Sequence, residues 1–245
     1  ALAWDYLTAR WGEGSIIPIT YQNSSAELKA FCGRRGGAVC TSSNAGAIFR
    51  WAFGQGRRIL FFPDEWLGTN TALALGLRRA EIALWEPAEP QGGAPAVEGA
   101  RVVVWKGYCH VHTHFSVQQI AEARRQYPGA VVIVHPECPV DVVQAADRNG
   151  STSFILKEVQ KAPAGAVFFI GTECNMVFRL AHEHPDKTIL PLTRSFCRTM
   201  ARTTPAHLLY TLERLLEGEL VNEVTAPAET RRWANLALER MLSIT

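Results

Sequence analysis

Four donors of the kind that bind iron or zinc, Cys109, His110, His112 and His114, fall between Gly107 and Phe115, a mixed thiolate and imidazole set. They follow Arg101-Val102-Val103-Val104, an apolar run that reads as a buried strand. The carboxyl end of such a strand is where open α/β sheets keep their chemistry. His135-Pro136-Glu137 adds a base that titrates near neutrality and a carboxylate two residues on, a pairing suited to proton transfer. Thr41-Ser42-Ser43 and Ser151-Thr152-Ser153 each read as the opening of a helix, where unpaired N–H groups and the helix dipole favour phosphate or carboxylate. Plainer readings compete: a cysteine beside a strand is commonly packing, and Ser and Thr are preferred helix caps in any protein.

The elements that must position these groups alternate between strand and helix. The sequence predicts a helix over 1–11, with Leu2, Tyr6, Leu7 and Trp11 on one face, then a buried strand over 15–20 ending in Tyr21-Gln22-Asn23. Short strands at 38–40 and 58–62 follow, and Thr41 to Asn44 are placed to cap the helix between them. From Val117 the same order returns: helix, strand 130–134, helix, the hydroxyl-rich cap at 151–153, helix, and strand 166–170. The offset of about 107 to 114 residues implies two copies of one α/β unit. Residues 86–95 form a Pro/Gly loop between them. The fold class expected is α/β, with repeated three-layer α/β/α units around short parallel sheets. The units expected are 1–105, 106–200 and C-terminal helices over 201–245, with the leucine spacing of 208–215 read as core packing.

At 245 residues, 47% hydrophobic and 20% charged, the chain has the composition of an ordinary soluble protein. A net charge of +2 with scattered arginines argues against a nucleic-acid partner. No apolar run approaches the ~20 residues of a membrane span. No secretory leader is read, and the six widely spaced cysteines point to reduced thiols in the cytoplasm. The chain opens without Met and already in a helical pattern, which leads us to expect a missing N-terminal part.

Taken together, Tyr21-Gln22-Asn23-Ser24-Ser25, Cys40-Thr41-Ser42-Ser43-Asn44, Phe62-Pro63-Asp64-Glu65-Trp66, Gly107-Tyr108-Cys109-His110-Val111-His112, His135-Pro136-Glu137-Cys138, Gly150-Ser151-Thr152-Ser153 and Gly171-Thr172-Glu173 resemble the quinolinate synthase family of NAD biosynthesis, in the family's order. The resemblance runs to Val221-Asn222-Glu223-Val224. It implies three pseudo-equivalent α/β/α domains, two of them present here, around a 4Fe-4S cluster held by one cysteine from each. Cys109 and Cys197 match two of these ligands, and the third is expected from the absent first domain. The reaction implied condenses iminoaspartate with dihydroxyacetone phosphate, losing phosphate and two waters, with a functional link to L-aspartate oxidase. Carried over by position, His135, Glu137 and Tyr21 are the acid/base and orienting groups. Asn23, Ser42, Ser151 and Thr152 hold the anionic groups, and Cys32, Cys40, Cys138 and Cys174 are packing. Arg198 departs from the family, in which many members carry Pro after the third cysteine. Without the first domain the chain is expected to be inactive.

Two other readings compete. His110-Val111-His112-Thr113-His114 could serve a zinc-type hydrolase, since HxH at a strand end puts two imidazoles on one face. A non-catalytic fragment that only binds anions is the third.

Overall fold

The computed structural model describes residues 2–93 and 97–244. Ala1, in the first predicted helix, Ala94 and Pro95, in the predicted loop, and Thr245 lie outside the described residues. The first sheet contains β1 (Ile16–Tyr21), β2 (Ala38–Cys40), β3 (Arg58–Phe62), β4 (Ile82–Trp85) and β5 (Val102–Trp105), in the order β2-β1-β3-β5-β4. The second contains β6 (Val131–Val134), β7 (Arg148–Asn149), β8 (Val167–Gly171) and β9 (Thr188–Pro191), in the order β7-β6-β8-β9. Every pairing is parallel. The fold is therefore α/β, as expected, and β4 is a strand the sequence reading did not find.

Parallel strands covered on both faces should be apolar throughout, and β1 is buried at all six positions. Alternation decides which face each side chain serves. Val132 and Val134 of β6 and Phe169 of β8 join Ile120 of α5 (Val117–Gln126) and Val142 of α6 (Val140–Ala145) in one core. Ile133, Phe168 and Ile170 join Ile155 and Val159 of α7 (Thr152–Lys161) and Val177 and Leu180 of α8 (Cys174–Glu183) in another. That division gives the α/β/α layering. In both sheets the chain steps from its first strand to one neighbour and then crosses to the other side, so crevices open at the carboxyl ends between β1 and β3 and between β6 and β8.

The first sheet carries α1 (Leu2–Trp11), α2 (Ala26–Arg34), α3 (Ala45–Gly54) and α4 (Glu65–Ala74). In α1 Leu7 is buried and Tyr6 and Trp11 pack against the core, as predicted, with Ala3 and Trp4 also buried, while Leu2 is exposed. The last helix, α10 (Ala228–Ser243), lies on α2 and β2. Gly33 permits the approach, since a Cβ there would sit 1.9 Å from the Trp233 carbonyl oxygen. The preceding helix, α9 (Pro205–Leu216), corrects an expectation. It is amphipathic, but it buries none of its residues, and Leu208, Leu209, Leu212 and Leu215 are exposed. Periodicity reports an apolar face but not what covers it.

No helix among the described residues is long and apolar enough to cross a membrane.

Candidate active site

The carboxyl ends of the two sheets meet. Tyr21, the last residue of β1, donates from its phenol to Glu137 Oε2 at 3.3 Å. His135, the first residue past β6, places Nε2 3.2 Å from Ser42 Oγ, beyond β2 of the other sheet. Asn70 of α4 donates both amide hydrogens across the same junction, to the Pro136 and Cys138 carbonyls at 2.8 Å each. The turn after β2 explains the position of Ser42. Asn44 Oδ1 holds this turn by accepting from Thr41 N at 2.7 Å and from the Thr41 hydroxyl at 3.0 Å, that hydroxyl accepts from Ser43 N at 3.2 Å, and α3 starts at Ala45 with no side-chain cap. The expected cap over 41–44 is thus not formed, and the Ser42 hydroxyl faces His135 instead. Ser151 does cap its helix, accepting from Phe154 N at 3.3 Å, and Thr152 is exposed at the start of α7.

Glu137 is the hub. Its Oε2 lies 3.2 Å from His135 Nδ1 and 3.4 Å from His112 Nδ1, and the two rings stack with centroids 4.3 Å apart. Burial and the neighbouring His112 push His135 well below the ordinary imidazole range, so it is a neutral base. Its Nδ1 receives the Glu137 backbone N–H at 3.3 Å, which leaves the ring proton on Nε2, toward Ser42. For His112 burial alone would lower the pKa, but the neighbouring Cys109 and Glu137 raise it to about 9, which favours the cation at neutral pH. Its Nε2 lies 3.1 Å from Thr172 Oγ1. Burial, with Glu137 beside it, raises Tyr21 as well, so the phenol keeps its proton.

Of these groups Tyr21 and Glu137 line a cleft of about 770 Å³, whose walls also include Asn23, Asp64, Cys109, His110 and Cys197. Cys109 Sγ, one His112 ring nitrogen and one Glu137 oxygen all lie within 4.8 Å of one another, the single such donor group among the described residues. The loop bearing Cys109 is held close to the first sheet. Gly107 accepts from Glu65 N at 2.8 Å, and a Cβ on it would sit 2.2 Å from the Pro63 carbonyl oxygen. The loop bearing Cys197 is fixed by Ser195, which donates from Oγ to Val111 O at 2.8 Å and from N to Cys174 Sγ at 3.0 Å.

The residues fit a thiolate-bound group. Cys109 and Cys197 are half-buried and share the cleft, whereas Cys32, Cys40, Cys138 and Cys174 are buried. The three histidines of the HxHxH run do not converge: His112 is buried beside Glu137, His110 accepts from Arg198 N at 3.3 Å, and His114 is exposed. The sequence reading gathered Tyr21, Asn23, Ser42, Cys109, His135, Glu137, Ser151 and Thr152 at one set of strand ends, with Cys197 added by the resemblance. In the structure Tyr21, Asn23, Cys109, Glu137 and Cys197 share the cleft and Ser42 meets His135, while Ser151 and Thr152 are not among the cleft's lining. The sequence reading did not join His112 to Glu137, or find Thr172 and Asp64 at the site. The signal available was position, since Asp64 and Thr172 each stand just past a central strand.

Fold and site define an α/β protein of paired parallel units whose switch-point crevices form a cleft with Cys, His and Glu donors suited to a metal group. The profile of the family described as "NadA: Quinolinate synthetase A protein" matches residues 6–243, and the chain belongs to that family. It is 49% identical over 245 residues to a quinolinate synthase of Corynebacterium glutamicum, covering 98% of this chain and 62% of that protein. It is likewise 49% identical to one of Geobacillus kaustophilus, over 99% of this chain and 66% of the relative. A quinolinate synthase of Rhodopirellula baltica is 43% identical over 99% of this chain and 63% of its own length. The chain thus spans somewhat less than two thirds of these relatives.

Proposed function

We propose that the protein acts as a quinolinate synthase, condensing iminoaspartate with dihydroxyacetone phosphate, with loss of phosphate and two waters. In this reading residues 1–105 and 106–200 are two of the family's three repeats, with 201–245 as C-terminal helices. The enzyme works in the cytoplasm beside an L-aspartate oxidase that supplies the imine. The observation that carries the proposal is that two half-buried cysteines share one cleft with a protonated phenol, a buried carboxylate and an amide.

Cys109 and Cys197 would hold two corners of a four-iron four-sulfur cluster. The other four cysteines line no part of the cleft, so a third thiolate would come from outside this chain. When bound, such a cluster supplies an iron free of protein ligands that acts as a Lewis acid on a carboxylate or hydroxyl. The remaining chemistry belongs to the chain. Tyr21, kept protonated, donates a hydrogen bond to a substrate oxygen. Asn23 fixes a carboxylate from the cleft wall, and the cationic His112 offsets its charge. Neutral His135 passes a proton at Nε2 through Ser42, and Glu137 orients both imidazoles while exchanging a proton with the substrate. Ser151 and Thr152, at the N-terminus of α7, hold the phosphate.

The test is anaerobic purification of the natural full-length protein with iron and sulfide analysis. The expected outcome is a brown protein that loses its iron on Cys109→Ala or Cys197→Ala. Tyr21→Phe and Glu137→Gln should keep the iron and lower turnover by about 10²-fold. A colourless protein carrying zinc that depends on His110 and His112 would replace this reading with the hydrolase.

A further inference from the structure

Two motifs noted in the sequence, Phe62-Pro63-Asp64 and Gly171-Thr172-Glu173, have no role in the function so far. The sheet registers superimpose them. Thr20 pairs with Phe62 in the first sheet as Val134 pairs with Gly171 in the second, which makes Tyr21 and His135 equivalent. Phe61 pairs with Val104 as Ile170 pairs with Pro191. Cys109 and Cys197 follow those paired positions, Val104 and Pro191, by five and six residues. Asp64 and Glu173 each stand two residues beyond their central strand.

The hydrogen bonds repeat with the register. Asp64 is the N-cap of α4, with Oδ1 accepting from Leu67 N at 2.7 Å and Oδ2 accepting from the backbone N–H of Cys109 at 3.0 Å. Glu173 is the N-cap of α8, with Oε2 accepting from Asn175 N at 2.8 Å and Oε1 accepting from the backbone N–H of Cys197 at 3.4 Å. In both units one carboxylate oxygen caps the helix and the other accepts from the cysteine N–H, Glu173 Oε1 also accepting from Asn175 Nδ2 at 3.1 Å. Ordinary capping needs one acceptor, which Ser or Thr supplies as well. The second bond requires a two-oxygen group, and both units have one although their side chains differ in length.

We propose that Asp64 and Glu173 are equivalent positioning residues, each tying the first turn of its helix to the backbone of a cysteine so that Cys109 and Cys197 are presented to one group in the cleft. The proposal rests on the reading that these two cysteines hold an iron–sulfur cluster. A partner one bond removed from a metal ligand fixes its direction, and losing it weakens metal retention by roughly 10- to 100-fold.

The discriminating change is to serine, which keeps the helix cap and removes the acceptor for the cysteine N–H. In the full-length protein purified anaerobically, Asp64→Ser and Glu173→Ser should release iron to a chelator roughly tenfold faster than wild type. Their reduced clusters should show altered electron paramagnetic resonance signals, while the melting temperature of the metal-free protein stays close to wild type. Asp64→Asn and Glu173→Gln, with one accepting oxygen left, should fall between. Wild-type release and wild-type spectra in the serine variants would reduce both residues to helix caps and overturn the proposal. If a serine variant does not fold, unchanged release in the Asn and Gln variants has the same force. A wild-type protein without iron removes the cluster reading itself, and this proposal with it.

Discussion

The six cysteines have two fates, four buried and two on loops at the cleft. Cys40 closes β2 and Cys138 follows β6, both inside a core, and burial pushes both thiols up. Cys32 is likewise fully buried and raised well above the usual thiol range, and Cys174 is raised as well. Cys109 and Cys197 sit on loops past β5 and β9 and reach the cleft. Thiol reactivity follows thiolate fraction and access together. In the metal-free folded chain a small alkylating reagent at pH 8 should therefore modify Cys109 and Cys197 and leave the other four until denaturant is added. Peptide mapping after a short pulse checks this, and early labelling of Cys40 or Cys138 would contradict the assigned burial. Sequence alone marks Cys109 as special because three histidines follow it closely, and Cys197 only through a resemblance. What decides between them and the buried four is which loops meet at the cleft, a tertiary arrangement that no local pattern reveals.

Elements were legible where their period was strong and hidden where tertiary contacts decide. The strands at 16–21, 58–62, 102–105 and 131–134 were readable from continuous apolar runs, as buried parallel strands must be. β4, four residues after a short turn, and β7, two exposed residues, carried too little pattern. The turn at 41–44 misled because its side-chain hydrogen bonds close within the turn and none reaches the first turn of α3, and α9 misled because its apolar stripe is uncovered among the described residues. Two glycines show how contact decides an element's tolerance. Gly33 lies under the backbone of α10, with no flexible side chain able to yield. Gly33→Ala must push two helices apart and should cost about 1–3 kcal/mol or more, as overpacking does. Gly54, the last residue of α3, has open space within 4 Å of the position a Cβ would take. Gly54→Ala should stabilise by about 0.4–1 kcal/mol through the unfolded chain. Urea midpoints of the two variants should move in opposite directions, and a shared direction would show that the α2–α10 contact is looser than described.

At the scale of the molecule, the two sheets keep separate apolar cores, and polar contacts at their facing ends join them. The cleft exists only while those ends stay in register, so the joint governs the site as well as the fold. Asn70 is its best-placed contact: it is buried on α4, and both its hydrogens are used on carbonyls of the segment that carries Glu137. Asn70→Ala strips two buried carbonyls of a donor and should cost about 1–3 kcal/mol. The protein offers a way to see which unit yields. All seven tryptophans, Trp4, Trp11, Trp51, Trp66, Trp85, Trp105 and Trp233, belong to the first sheet, its helices or α10, and none lies between 106 and 200. Fluorescence therefore follows the first unit, while far-ultraviolet circular dichroism follows both. With the joint intact the two probes should trace one transition, the signature of cooperative unfolding. In Asn70→Ala they should separate, with part of the dichroism lost before the tryptophans respond, because the second sheet has fewer strands and a two-residue edge strand. Coincident curves in the variant would mean that the contacts of Tyr21 with Glu137 and of Ser42 with His135 are enough to couple the units, and that the site's own hydrogen bonds hold the protein together.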